Sequence, residues 1–520
     1  MTNSSGELKP TLGLVGITIN AMALIAPGAF LWTTYQLQAP SDSAKNMWAA
    51  IALSTCIALL TASCYATLSK AYPDAGAGSS YFYAEAAILA KEEHKHFRLA
   101  RLVKFVTGWA AHLYYWVYPG IMVSFMGTLV VYIGQLFNPD FGSDWLSKTL
   151  ICFAFAGLIG AIALMGVTGS TLINIIINIV QIASLTFLGL LMIVYRLGHP
   201  NVNYEHANVL SVIVPHDLMG LIYQATIAIL LLVGFESATA MAGEAINPQR
   251  DIPRGVILSL FIQACVCYFF EYFAANFFIG DQYTATVDGK TVTGFAAALS
   301  SGAPIGDIAK ILGDTLLFGN GFLLQLMMAG TVVMALLGTG LSSLSTGVRI
   351  SYAMGADREL PAVLGFLHGR YNTPFMGIYF LAGLSALIGA YAVQSVDNVT
   401  IVTLVSNIGT FMLYGITCGV TLVATLEHLL DGRRDPIKTI VIPFLGLVMN
   451  LVMVCGIFYY GLTGSGNAQT NSITAIGIAI AFFVAGLAYL VGDSLLKGKP
   501  IFLPSDLRHP LRAKVGSKSR

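Results

Sequence analysis

The chain has 520 residues, of which 56% are hydrophobic and only 10% charged, with a formal net charge of +1. Its mean hydropathy of +0.74, set beside the roughly 25% charged residues of soluble domains, excludes a soluble globular protein and gives no sign of a nucleic-acid partner. What remains is a polytopic membrane protein, for which the sidedness of charge matters more than its sum.

Twelve apolar runs are long enough to cross a bilayer as helices, near 12–35, 46–70, 104–136, 148–168, 170–196, 217–243, 253–280, 320–349, 374–394, 398–427, 437–462 and 472–495. The opening "MTNSSGELKP" lacks the charged start and small-residue cleavage site of a secretory signal. Residues 1–11 therefore read as a tail and the first run as a retained span. Within it, "INAMALIAPGAFLW" places Pro27 and Gly28 near mid-membrane, where Pro removes a backbone donor and Gly permits unusual angles, so the helix should open there. The stretch 90–104, "AKEEHKHFRLARLVK", mixes charges and reads as a solvated, partly helical link at the inner leaflet.

The third run carries His112, Tyr114, Tyr115, Trp116 and Tyr118, mostly packing or interfacial-belt rings, with Tyr118 and Met122 as candidates to face a cavity. Asn174, Asn178 and Gln181 share one face of the fifth run, where hydrogen bonding between helices is favoured over ligand contact. The sixth run holds "LLLVGFESATA", in which Gly234, Phe235 and Glu236 interrupt a membrane-grade segment at a depth comparable with Pro27. Non-helical backbone is tolerated in a bilayer only where protein buries it or it lines a cavity. Two such interruptions five spans apart point to a transport site near the midplane, between five-helix halves of opposite orientation. Glu271 in "CYFFEYF" is a second intramembrane acid. After the seventh run, turn-rich "DQYTATVDGK" leads to "PIGDIAKILGD", whose Ile305, Ile308, Ile311 and Leu312 suit a short amphipathic helix. Thr339, Ser342, Ser343, Asn407 and Thr410 offer oxygens to a substrate or Na⁺, although helix packing is the commoner use of such residues.

With the amino terminus inside, 22 of the 27 Lys and Arg residues fall on the cytoplasmic side, so both termini are expected there. The seven cysteines all lie in apolar runs without a CxxC pair, which argues against disulfides and metal ligation. There is no HExxH, GxSxG or GxxxxGK[ST] segment, so neither a membrane enzyme nor an ATP-driven pump is indicated, and no cofactor is expected.

At this point the chain resembles the amino acid, polyamine and organocation permeases over roughly residues 10–430. The resemblance is carried by "VGFESATAMAGEAINPQRDIPRG" (233–255), "VRISYAMGADRELP" (348–361) and "LSKAYPDAGAGSSYFYAEA" (68–86), with Thr67 where an acid is usual. It implies an all-α membrane protein with twelve transmembrane helices: a 5+5 inverted-repeat (LeuT-like) core at 12–427, with spans 1–5 in 12–196 and 6–10 in 217–427. Spans 11 and 12 at 437–495 and a basic tail at 496–520 would complete it. The implied mechanism is secondary active transport of an amino acid or related amine by alternating access, proton-coupled or exchanging, with Na⁺ as the other coupling ion. Spans 1 and 6 would rock with 2 and 7 against 3, 4, 8 and 9.

The substrate would contact Ile25, Ala26, Pro27, Gly28, Ala29, Tyr118, Met122, Gly234, Phe235 and Thr339, while Glu236 and Glu271 would serve proton coupling or gating. Two departures bear on this. Where relatives read Gly-Ser-Gly, this chain has Ala26-Pro27-Gly28, which removes one amide that would hold a substrate carboxylate. Ser184 stands where several proton-coupled relatives carry a lysine. A polyamine or other amine permease, and a transporter-like sensor, are the alternative readings.

Overall fold

In the computed structural model the described residues are 11–497, apart from 26, 40–42, 74–78, 90–96, 166–170, 288, 358, 367–372 and 429–435. They are helical almost throughout. The first run is divided into α1 (Leu14–Ile25) and α2 (Pro27–Gln38), and the stretches Leu14–Ala29 and Leu31–Gln38 are inclined at 53°. The cause is local: Pro27 has no N–H to offer the carbonyl of Ala23, four residues back, and its ring crowds that carbonyl. Ala26, an expected site residue, lies outside the described residues.

Next come α3 (Met47–Ala71), α4 (Ser80–Leu89), α5 (Phe97–Tyr115), α6 (Tyr118–Gln135), α7 (Trp145–Leu164) and α8 (Thr171–Gly198). After a short α9 (Val209–Ile213), the sixth run starts as α10 (Leu218–Ala228), whose first turn is capped by the Asp217 side chain accepting from the Gly220 amide. α10 ends in one tight turn, Ile229–Leu231, and the chain is non-helical at 232–236 before the single turn of α11 (Ser237–Ala240). Gly234 there has φ +119°, a conformation that only glycine adopts without strain.

The seventh run is α12 (Pro248–Phe261) and α13 (Phe269–Phe278), joined by a π-helical stretch at Ile262–Tyr268. The segment read as turn-rich proves to be a hairpin of β1 (Thr284–Val287) and β2 (Lys290–Thr293), with Thr284 opposite Thr293 and Gly289 at φ +76° in its turn. Then come α14 (Gly294–Ser300), α15 (Pro304–Leu316), α16 (Gly321–Ala356), α17 (Phe375–Ala392), α18 (Val396–His428), α19 (Ile442–Thr463) and α20 (Gly466–Lys497). α15 is the amphipathic helix anticipated from Ile305, Ile308 and Leu312, all three of which it buries against α2 and α16.

Among the described residues ten helices are long and apolar enough to cross a membrane, and the bent α1–α2 pair makes an eleventh; Leu218–Leu231 is shorter. The apolar window of α18 is 89% buried and that of α20 only 17%, so α18 is central and α20 peripheral. At one end of the bundle, here the amino-terminal face, Leu12 bridges Ala245 and the amides of Thr11 and Leu12 both donate to the Glu244 carbonyl at 2.9 Å. α15 covers the opposite face.

The charged stretch 90–104 departs from its sequence reading only in part, since Arg98 is helical and exposed as read. Residues 90–96 are outside the described residues, but on α5 Arg101 is half-buried and Lys104 is 1% exposed. Carboxylates from α4 and the end of α16 neutralise it, which makes its burial tolerable.

Candidate functional site

The two chain breaks meet. A methyl group on Gly234 would stand 2.8 Å from Leu24 Cγ and 3.2 Å from its carbonyl carbon, so the opened sixth run packs directly on the end of α1. An opened helix leaves backbone groups without internal partners, and side chains from three other helices supply them. Thr339 of α16 donates to the Ala23 carbonyl at 3.2 Å, the group orphaned by Pro27. Tyr268 donates to the Ile25 carbonyl at 2.7 Å, and Gln263 to that of Met22 at 3.3 Å. On α8, Gln181 accepts from the Gly28 amide at 3.2 Å, Asn178 donates to the Ile19 carbonyl at 3.4 Å, and Asn174 donates to Asn20 Oδ1 at 2.5 Å. The polar face of the fifth run thus bonds the first. One of its members also occupies an amide that the family resemblance reserves for a substrate carboxylate.

Glu236 follows Gly234 at the break and is 1% exposed. Tyr115 of α5 donates to one carboxylate oxygen at 2.8 Å; Tyr414 of α18 at 2.8 Å and the Gly234 amide at 3.0 Å donate to the other. An ionised carboxylate only accepts, and each of these groups can donate. The three contacts therefore hold three parts of the chain together at this acid. Phe235 packs against Tyr414 and edge-on to Tyr65, with ring centroids 5.3 and 6.0 Å apart. The Tyr65 hydroxyl is bonded to Ser80. A void of about 10 Å³ beside Glu236, walled also by Tyr65, Ser79, Ser80 and Tyr115, is at the lower limit for a single water.

A cavity of about 510 Å³ opens beside the breaks. It runs from Leu12, Glu244 and Arg349 at the amino-terminal face to Ala23 and Ser237, which flank the two breaks, and Asn20, Asn174, Ser342, Ser345 and Thr346 give it neutral polar walls. Glu244 and Arg349 approach to 3.6 Å across its rim. Of the residues named from sequence as substrate contacts, Ile25, Pro27, Gly28, Ala29, Tyr118, Met122, Gly234, Phe235 and Thr339 are buried around the breaks and do not line this cavity.

Glu271 is buried against α8 close to Gly189, and neither of its carboxylate oxygens has a hydrogen-bond partner among the described residues. Ser343, Asn407 and Thr410 bond the carbonyls of Gly340, Thr226 and Ser406, which is helix packing, whereas Ser342 reaches the cavity. The aromatic group of the third run is not an interfacial belt: Tyr114, Tyr115 and Tyr118 are fully enclosed, and His112 bonds Ser351 at 3.0 Å. No group of three or more His, Cys, Asp or Glu side chains among the described residues could hold a metal ion. Sequence reasoning missed Asn20, the Glu244–Arg349 pair and the attachment of Glu236 to Tyr115 and Tyr414. These tyrosines are 121 and 178 residues away from it, beyond any local pattern.

Comparison with known proteins agrees with this architecture. A family profile described as "Amino acid permease" matches residues 11–489. The chain is 22% identical to the branched-chain amino acid permease BcaP of Bacillus subtilis (strain 168), covering 75% of this chain and 76% of that one. It is 24% identical to the methylthioribose transporter of the same organism over 94% of each chain. With the low-affinity putrescine importer PlaP of Escherichia coli (strain K12) it shares 23% identity over 78% of this chain and 79% of that one. A profile match across nearly the whole length, on a helical membrane architecture with an internal cavity beside two opened helices, makes this chain a member of the amino acid permease family, within the amino acid, polyamine and organocation superfamily, and hence a transporter and not an enzyme.

Proposed function

We propose that this transporter moves an amino acid or a related amine by alternating access, and that the structure is a state open toward the cytoplasm. The observation that carries this reading is the contact between the breaks at Pro27 and Gly234, with the 510 Å³ cavity ending beside both. On this reading α1–α8 and α10–α18 form the two inverted halves, α19 and α20 lie outside them, and the amino-terminal face is cytoplasmic, as the basic residues indicate. A solute entering past Glu244 and Arg349 meets Asn20, Asn174 and Ser342 first. It reaches the residues around the breaks once Phe235 and Glu236 move aside. Glu236 is then the gating acid: releasing its bonds to Tyr115 and Tyr414 frees the opened sixth run, and proton exchange at that carboxyl couples the step to a proton gradient. Glu271 is proposed as a second proton-exchanging acid.

A second reading within the same class, an amine substrate without a carboxylate, is favoured by one detail. The first break lacks an N–H at Pro27, and its Gly28 amide is already held by Gln181. The relatives' names include a branched-chain amino acid, methylthioribose and putrescine, so membership alone does not select between them. Uptake into proteoliposomes of leucine, putrescine and methylthioribose, with proton and sodium gradients imposed separately, tests both readings. Glu236→Gln should remove the pH dependence of uptake while retaining the fold; unchanged pH dependence discards the coupling role. Ligand-induced thermal stabilisation without uptake of any probe would instead identify a sensor.

A further inference from the structure

Where α4, α5 and the end of α16 converge on the amino-terminal face, five charged side chains are packed together. Lys104 Nζ lies 2.6 Å from Glu85 and 2.6 Å from Asp357. Arg101 reaches Glu85 at 3.7 Å and Glu359 at 3.8 Å. The Tyr81 hydroxyl donates to Asp357 at 3.0 Å, and its ring lies 4.5 Å beneath the Lys104 ammonium. Among the described residues the cluster brings together three carboxylates and two cations. Glu85 and Asp357 share the close Lys104 ammonium, whereas the ion pair of Glu359 among the described residues is to Arg101 at the edge of range, with Tyr81 beside it. Glu359 is 8% exposed, and its Oε2 is buried without a hydrogen-bond partner among the described residues. A buried carboxylate whose ion pair is stretched to the edge of range is expensive, and a proton is the one ligand that removes its charge without needing space.

We propose that this cluster is a proton-binding site on the amino-terminal face, separate from Glu236, with Glu359 as the group that takes the proton. The charged groups facing Glu359 among the described residues are Arg101 and Lys104 from α5, Asp357 from the end of α16, and Glu85 beside Tyr81 on α4. Burial, with the nearby Asp357 charge against it, pushes Glu359 up to about 7 despite Lys104 and Arg101. Glu85, by contrast, is held below the usual carboxylate range, because Lys104 and Arg101 outweigh its burial. Protonated, Glu359 carries no charge and the cluster clamps α16 to α4 and α5; ionised, Glu359 is a buried charge held by one long contact to Arg101 among the described ion pairs, and the clamp loosens. α16 also carries Ser342, Ser345, Thr346 and Arg349 of the cavity wall, so occupancy of this site acts on the aperture. The site stands whether or not Glu236 couples transport to protons.

The probe is the proton itself, titrated on the purified full chain in nanodiscs between pH 5 and pH 9. Infrared difference spectra should show a carboxyl titrating with a midpoint about 7 that is absent from Glu359→Gln and retained in Glu236→Gln. Because a raised folded-state value confers stability that is lost as pH rises through it, the wild-type unfolding temperature should fall from pH 6 to pH 8, and that of Glu359→Gln should change less. Should Glu359→Gln fail to fold, Arg101→Gln carries the test, since loss of the neighbouring cation must move the midpoint upward. An identical titration and stability profile in Glu359→Gln, or an unmoved midpoint in Arg101→Gln, overturns the proposal.

Discussion

At the scale of single residues, Glu236 shows how one side chain can stabilise a helix break. It replaces lost helical bonds with the Gly234 amide and two tyrosine hydroxyls, all reaching a carboxylate 1% exposed. Removing a donor by Tyr115→Phe or Tyr414→Phe takes away one buried hydrogen bond, worth about 1 kcal/mol. Each should lower the unfolding temperature, and the two should be non-additive because they share one acceptor group. Glu236→Gln should cost more than either. Its single amide oxygen cannot accept all three donors, and its NH₂ would then face at least one of them. Thermal unfolding of the four proteins in one detergent checks the order; equal costs for all three variants would count against the carboxylate as the organising centre.

At the scale of elements, the breaks were legible because their causes are local. Pro27 lacks an N–H wherever it is placed, and a Gly-Phe-Glu triplet in an apolar run implies both an unusual backbone angle and a reason to bury an acid. The partners were not legible, since they belong to the packing: Ala23 finds Thr339 across 316 residues, and Lys104 finds Asp357 across 253. For the same reason Lys104, in a stretch that looked solvated by composition, is buried in fact. Two predictions separate local from tertiary causes. Pro27→Ala restores the N–H that Ala23 needs, so Thr339→Val should cost about 1 kcal/mol in the wild-type background and clearly less in the Pro27→Ala background; equal costs in a thermal double-mutant cycle would contradict this. Gly234→Ala combines contact with Leu24 and a left-handed φ of +119°. Leu24→Ala relieves only the contact, so it should rescue Gly234→Ala incompletely, leaving about 1–3 kcal/mol of backbone strain.

At the scale of the whole molecule, the two ends of the bundle differ. The amino-terminal end has the open cavity, with a loose Glu244–Arg349 contact at its rim. At the opposite end the α15 lid is fastened at Asp307, which accepts from Tyr132 of α6 at 2.7 Å, from Tyr283 at 2.9 Å and from Ser301 at 2.5 Å, while Gly306 beside it packs on Trp32 of α2. Three donors on one carboxylate bind the third span, the hairpin region and the lid together, next to the half-helix that follows the first break. Asp307→Asn keeps the shape but offers one acceptor oxygen and an NH₂ to the same three donors, so the seal weakens without a core residue being lost. If opening at the two ends is mutually exclusive, as alternating access requires, weakening this seal shifts the population away from the state with the open amino-terminal cavity. A cysteine at Ser345, in the cavity wall, reports that population. Labelling by a membrane-impermeant thiol reagent from the amino-terminal side, corrected for the unsubstituted chain with its seven native cysteines, should slow several-fold when Asp307→Asn is added. Faster labelling, or an unchanged rate alongside a lowered unfolding temperature, would mean that the lid is a structural cover uncoupled from the cavity.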